Sequence, residues 1–276
     1  MSKNKQTRRT FLKSAGITAI ALHSSVSISG ELSGKTFDFV QLCDTQLGFG
    51  GYEHDVKTFK QAVKQINAMK PDFAVICGDL VNKVSEKSYR DFNKIKADLT
   101  IPCHCVPGNH DVGQKATLES LQYYRTVVGK DYYSFEHKGY VFVIVNTQLW
   151  KAPVEDESKK QDLWLETTLE NASSKGSRIF VLGHYPLFTK KPDEREAYYN
   201  LPSAKRKNLL DLFEKHGVVA VLTGHAHRII INEYKGIQLV TGQATSRTSG
   251  SPLGFRVWHV KEPKPFAHES VPIAGF

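Results

Sequence analysis

Four cysteines in 276 residues are too few for a disulfide scaffold. After residue 35 there is no internal repeat, no low-complexity linker and no visible domain boundary. An apolar stretch at residues 14–28 is broken by His23 and several serines, so it is too short and too polar to span a bilayer. The first thirty residues contain no acid, yet carry Lys3, Lys5, Arg8, Arg9 and Lys13. Setting those five aside from the 37 bases leaves 32 against 28 acids, so the formal +9 falls to +4. Over a domain this size +4 is bland, and no basic–aromatic tract accompanies it, so stable nucleic-acid binding is not expected. The whole chain is 40% hydrophobic and 24% charged, an ordinary globular mixture. It excludes wholesale disorder, collagen-like repeats and a multi-span membrane protein, and the chain can bury a core without staples.

Residues 7–13 read Thr-Arg-Arg-Thr-Phe-Leu-Lys, then the short apolar stretch, then small residues Ser27, Ser29 and Gly30. Charged region, apolar region and small residues in that order are the layout of a secretory signal. The paired arginines followed by Phe-Leu-Lys resemble a twin-arginine export signal. The resemblance implies a signal peptide over residues 1–30, cleaved near Ser29 or Gly30, and a mature domain over residues 31–276. It also implies the twin-arginine export machinery as a partner and a bacterial protein that is periplasmic or secreted, with no transmembrane anchor in its mature form. A protein exported after folding completes its fold in the reducing cytoplasm. It also cannot depend on disulfides, and all four cysteines read as buried small hydrophobes.

Apolar runs of strand length alternate with helical patterns. Strands are expected over 37–42, 73–77, 103–106, 141–146, 179–182, 218–222, 228–232, 237–241 and 255–260. Helices are expected over 56–69, 86–99, 116–128, 161–174 and 204–216. In the first helix Val56, Phe59, Ala62, Val63, Ile66 and Met69 follow a helical period. Early strand–helix alternation followed by helix-poor strands gives α/β with a mixed sheet. Residues 151–160 and 189–202 read as long loops.

The informative pattern lies at the ends of the apolar runs. Successive runs end in Asp44-Thr45-Gln46, Gly78-Asp79, Gly108-Asn109-His110-Asp111, Gly183-His184 and Gly224-His225-Ala226-His227. Each cluster falls where a buried strand emerges at its carboxyl end, the edge at which open α/β sheets bind ligands. A glycine ahead of the ligand lets the backbone turn tightly or approach an ion. Asp44 and Asp79 are anionic oxygen donors, Gln46 and Asn109 neutral ones, and His184, His225 and His227 imidazoles. Such a mixture suits Mn, Fe or Zn rather than an all-oxygen site. Seven ligands exceed one transition metal with an open position and fit two metals bridged by a shared carboxylate.

These clusters, in this order over residues 36–260, resemble the calcineurin-like metallophosphoesterases. Residues 44–48, 145–149, 161–165, 184–188 and 198–201 are similar to the narrower group of calcineurin-like phosphoesterase-domain serine/threonine phosphatases. The resemblance implies a four-layer sandwich of two mixed β-sheets flanked by helices. It implies two metal ions, Mn, Fe or Zn with Mg possible, and hydrolysis of phosphomonoesters by in-line attack of a metal-bridging hydroxide. Asp79 would bridge. Asp44, Gln46 and His227 would complete one site, and Asn109, His184 and His225 the other. His110 would protonate the leaving oxygen, with Asp111 orienting its ring. Gln46 stands where the family usually has histidine, and its weaker, harder oxygen shifts preference toward Mn²⁺ or Mg²⁺.

Substrate choice is expected from loops over residues 48–55, 151–160, 189–202 and 244–254. The resemblance implies a phosphorylated small molecule or phosphoprotein as substrate. Arg247 and Tyr199 are the candidate contacts, with Lys190, Lys191 and Arg195 reading as solvated charge. Tyr198 and Tyr199 either wall the pocket or pack beneath their loop. His54 reads as solvated. A phosphodiesterase on nucleotides or phospholipid headgroups, or a non-catalytic metal-binding scaffold, stand as alternatives.

Overall fold

The computed structural model describes residues 36–247, 251–262 and 266–276. The expected signal over residues 1–30 lies outside them. In chain order the elements are β1 (Thr36–Leu42), α1 (Tyr52–Met69), β2 (Phe73–Cys77), α2 (Glu86–Ala97), β3 (Cys103–Val106), α3 (Asn109–Val112) and α4 (Leu118–Val127). There follow β4 (Tyr133–His137), β5 (Tyr140–Ile144), α5 (Gln148–Lys151), α6 (Glu155–Ser174), β6 (Arg178–Leu182) and α7 (Ser203–Lys215). The chain closes with β7 (Val218–Thr223), β8 (Ile230–Tyr234), β9 (Ile237–Thr241), β10 (Gly254–Lys261) and β11 (Ala267–Pro272).

These strands form two sheets, ordered β11-β10-β1-β2-β3 and β4-β5-β6-β7-β9-β8. Both are mixed. Parallel β1, β2 and β3 carry antiparallel β10 and β11, and parallel β5, β6, β7 and β9 are flanked by antiparallel β4 and β8. The period-2 alternation decides which side chain goes where. On β1, Phe37 and Phe39 face the other sheet while Val40 and Leu42 face α1. On β5, Phe142 and Ile144 face the first sheet while Val141 and Val143 face α6. Strands buried on both faces read as continuous apolar runs, which is why they are legible in the sequence. The result is helices, sheet, sheet, helices, as the resemblance implies.

Several expectations change. Residues 151–160 are not a loop, because α6 begins at Glu155 and buries Glu157 and Ser158. Helix α1 begins at Tyr52, and β8 starts at Ile230 rather than 228. Strands β4 and β11 are additional to those expected. Cys103 is half-buried at the edge of its sheet, whereas Cys43, Cys77 and Cys105 are buried. Registers such as Leu42↔Ile76, Cys77↔Val106 and Leu182↔Leu222 keep the parallel strand ends level, so the loops beyond them meet.

Candidate metal centre

The expected ligands follow β1, β2, β3, β6 and β7, six of them in loops and Asn109 at the start of α3. Five of them hold a left-handed backbone: Asp44 (φ 51°), Gln46 (34°), Asp79 (51°), His225 (68°) and His227 (51°). For residues with a side chain this conformation costs about 1–2 kcal/mol each, and it clusters at functional sites. Cross-loop hydrogen bonds hold it, among them Asp44 N to Gly78 O at 3.2 Å, Gln46 N to Asp79 O at 2.8 Å and Ser246 N to Asp44 O at 3.2 Å. Gly78 and Gly108 are required by close approach. A Cβ on the first would collide with the His184 ring, and one on the second with Asp79.

The ligand atoms form two groups that share Asp79. Asp79, His184 and His225 make one, Asp44, Asp79 and His227 the other, with the donor atoms of each within 4.8 Å of one another. Three backbone carbonyls decide what these atoms offer. His184 Nδ1 lies 2.8 Å from Cys77 O, His227 Nδ1 2.6 Å from Arg247 O, and His225 Nε2 3.3 Å from Tyr198 O. A ring nitrogen facing a carbonyl must carry hydrogen, so the other nitrogen of each neutral ring presents a lone pair. Those lone pairs point at other acceptors. His184 Nε2 is 3.3 Å from Asp79 Oδ2 and 3.1 Å from Asn109 Oδ1, and His225 Nδ1 is 3.2 Å from His184 Nε2. His227 Nε2 is 3.4 Å from Asp44 Oδ1. The buried Gln46 Oε1 has no hydrogen-bond partner. Acceptors converging on acceptors need a proton or a cation between them, and the donor set fits two metal ions.

Protons show the same crowding. Burial works against charge on His184, but the Asp79 carboxylate outweighs it and raises the ring to about 10. Burial and then the His184 charge push His225 down to about 3. Burial opposes ionisation of Asp79, and His184 overrides it, holding that carboxyl well below its usual range.

His110 donates its backbone N–H to Asp79 Oδ1 at 2.9 Å, and its Nδ1 faces Asn82 O at 2.8 Å. Its ring lines a cavity of about 350 Å³, together with Gln46, Phe49, Tyr198, Tyr199 and Arg247. Asp111 does not orient that ring. Its carboxylate accepts the N–H of Gly108 at 2.8 Å, of Leu80 at 3.0 Å and of Val81 at 3.3 Å, and the Tyr89 hydroxyl at 3.3 Å. Both residues lie on the short helix α3, where neighbours in sequence point in different directions. Burial and then Asp79 push the Asp111 carboxyl up to about 7. Asp111 is therefore a brace for the Asp79 loop.

Of the two candidate substrate contacts, Arg247 and Tyr199 both line the cavity. Residues 151–160, Lys190, Lys191 and Arg195 are not among its lining, and His54 packs edge-on against Phe276 at 5.5 Å. Sequence reasoning missed Phe49 and the Asn82 carbonyl. No motif marks either, although Phe49 falls in an expected substrate loop.

The calcineurin-like phosphoesterase family model matches residues 37–228. The human serine/threonine-protein phosphatase CPPED1 is 35% identical over 229 residues, 78% of this chain and 72% of that protein. The Danio rerio protein of that name is 34% identical over 253 residues, 82% of each chain. The crystal structure of a dimetal phosphatase from Danio rerio superposes with a TM-score of 0.66 at 16% identity, covering 85% of this chain and 95% of that one. That last likeness is one of fold.

Proposed function

The chain belongs to the calcineurin-like phosphoesterase family and is a metal-dependent phosphoesterase, and from that premise we propose an exported phosphomonoesterase working at the cavity above Asp79. The observation that carries the reading is the set of three imidazoles whose outer nitrogens face carbonyls while their inner nitrogens face acceptors. Asp79 would be shared by two ions. Asp44, Gln46 and His227 would hold one, and Asn109, His184 and His225 the other. When bound, such ions lower the pKa of water and neutralise charge on a phosphoryl group.

The chain's own part is placement and proton handling. With Nδ1–H committed to Asn82 O, His110 can give a proton from Nε2 only as an imidazolium. The proton goes to the leaving oxygen, which departs as a neutral alcohol. Arg247 supplies a fixed cation at the rim, and Tyr199 a wall.

The test uses protein beginning at Glu31, stripped of metal and reloaded with Mn²⁺, Fe²⁺/Fe³⁺, Zn²⁺ or Mg²⁺. Hydrolysis of p-nitrophenyl phosphate is compared with that of bis(p-nitrophenyl) phosphate, with Asp79→Ala and His110→Ala alongside. Monoester turnover lost in both variants is expected. Faster diester turnover would replace the reading with a phosphodiesterase, and no turnover with stoichiometric metal bound would leave a narrow-specificity enzyme or a scaffold. Export rests on Arg8 and Arg9. Residues 1–35 fused to a folded reporter should deliver it to the periplasm, and Arg8→Lys with Arg9→Lys should retain it inside.

A further inference from the structure

Among the described residues four aromatic side chains stand exposed: Phe49 (39%), Tyr198 (51%), Tyr199 (45%) and Phe276 (48%). The first three border the same cavity. Its floor is made of carboxylate, amide and imidazole groups, so rings left in water at its rim need a separate reason.

The rings form two jaws. Phe49 stands edge-on to His227 with centroids 4.9 Å apart. Tyr198 and Tyr199 lie against His225 at 4.8 and 5.7 Å. Each jaw carries a guanidinium over a ring, Arg247 at 5.9 Å from Phe49 and Arg228 at 6.0 Å from Tyr199. Those contacts steady the rings and put positive charge beside them. Tyr198 is tied to the metal end by its backbone carbonyl, which faces His225 Nε2 at 3.3 Å, and by its hydroxyl, which interacts with Gln114 and Asn109. The side chains of Phe49 and Tyr199 have only ring contacts among those described.

We propose that the cavity selects phosphate esters whose alcohol part carries a planar aromatic ring, held by stacking between Phe49 and Tyr199. The inference rests on the phosphoesterase reading and names its substrate class. A phosphate on the polar floor leaves its esterified group at the rim, where an aliphatic chain would only cover apolar area. A flat ring also gains the face and edge attractions that aromatic pairs make. Two sources share this chemistry, an aryl ester such as phosphotyrosine and a nucleoside monophosphate.

The test separates binding from turnover. Phenylphosphonate and cyclohexylphosphonate match in charge and size, and neither has an ester bond to cleave. Titrated calorimetrically into the Mn²⁺-loaded protein, the phenyl compound should bind roughly fivefold to tenfold tighter. Tyr199→Leu and Phe49→Leu keep apolar bulk without a π-face. Each should shrink that ratio, and together they should bring it to about one, with inorganic phosphate binding and melting temperature as controls. Equal affinities in the unaltered protein would overturn the inference, as would a ratio that survives both substitutions. AMP against ribose 5-phosphate, which leave through the same kind of primary ribose 5-oxygen, and phosphotyrosine against phosphoserine then tell which source is used. Turnover of phosphoserine equal to that of phosphotyrosine, with equal phosphonate affinities, sinks the inference alone. Absence of all turnover with the phenyl preference intact sinks the phosphoesterase reading instead.

Discussion

Phe39 and Asp44 are five residues apart on one strand and its exit loop, and they belong to opposite kinds of region. Around Phe39 lies the seam between the sheets. Its ring stacks on Phe73 at 5.0 Å and 7° and on Trp258 at 5.8 Å and 9°, and Phe142 stacks on Phe180 at 5.0 Å and 9°. The polar handle there is matched, Trp258 Nε1 donating to Gln41 Oε1 at 3.0 Å. Around Asp44 the backbone is left-handed and lone pairs face lone pairs. The seam makes stability and the metal end consumes it. Substitutions at one end should therefore change melting with little effect on turnover per folded molecule, and at the other end the reverse.

The sharpest test of that contrast is Asp79→Asn. Losing the carboxylate shared by both ligand groups should lower kcat/KM by about 10⁴ or more. Without the carboxylate that raises His184, the ring reverts to neutral, and an amide Nδ2 can donate to the lone pair this leaves 3.3 Å from the present oxygen. The metal-free variant should therefore melt at or above the temperature of its parent in calorimetry. A drop of several degrees would mean that Asp79 supports the fold as well as the metals.

Next comes the seam. Phe142 is fully buried against Phe39, Phe73 and Phe180. Phe142→Ala should cost about 3–5 kcal/mol in denaturant unfolding, with kcat of the surviving folded protein unchanged. A large fall in kcat would show that the seam positions the ligand loops rather than merely carrying them. His110→Ala ranks third, lowering kcat by about 10²–10³ while metal stoichiometry and melting stay put. If KM rises and kcat holds, the ring binds substrate and donates no proton.

The two regions also differ in how far the sequence discloses them. Ligand loops are legible because an apolar run ending in Gly and a donor is a local event, repeated after five strands. Strand β4 is hidden by its pattern, since Tyr133, Phe135 and His137 are only half-buried and alternate with exposed residues. The start of α6 is hidden by burial of polar groups, Glu157 pairing with Arg125 at 2.6 Å and Gln161 capping Asn146 N at 2.7 Å. Hydrophobic periodicity cannot register a buried ion pair. Asp111 misleads for a different reason: adjacency in sequence suggests contact, and the helical turn at Asn109 separates the two side chains. The Asn82 carbonyl that does the orienting has no side-chain signature at all.

The smallest effect lies at the rim of the seam, where His104 stacks on Phe135 at 3.6 Å and 3° and its Nδ1 meets the Tyr133 hydroxyl at 3.2 Å. Burial pushes this ring down to about 4 from an unfolded value near 6.5. As pH falls below about 6.5 the unfolded chain takes the proton first. The contribution of His104 is therefore complete above that pH and is lost progressively toward about 4. His225, lowered to about 3 by burial and the His184 charge, and His268, lowered to about 4 by burial and Arg256, slope the same way. The seam's share has to be isolated by difference, in metal-free protein. His104→Phe keeps the stacking and removes the titration. Allowing for the water that reaches the ring, it should recover about 1 kcal/mol, or about 2–4 °C, at pH 4.5 and nothing at pH 8. Equal recovery at both values would mean that the gain is packing, and the acid sensitivity of this fold would then belong to its metal end and His268.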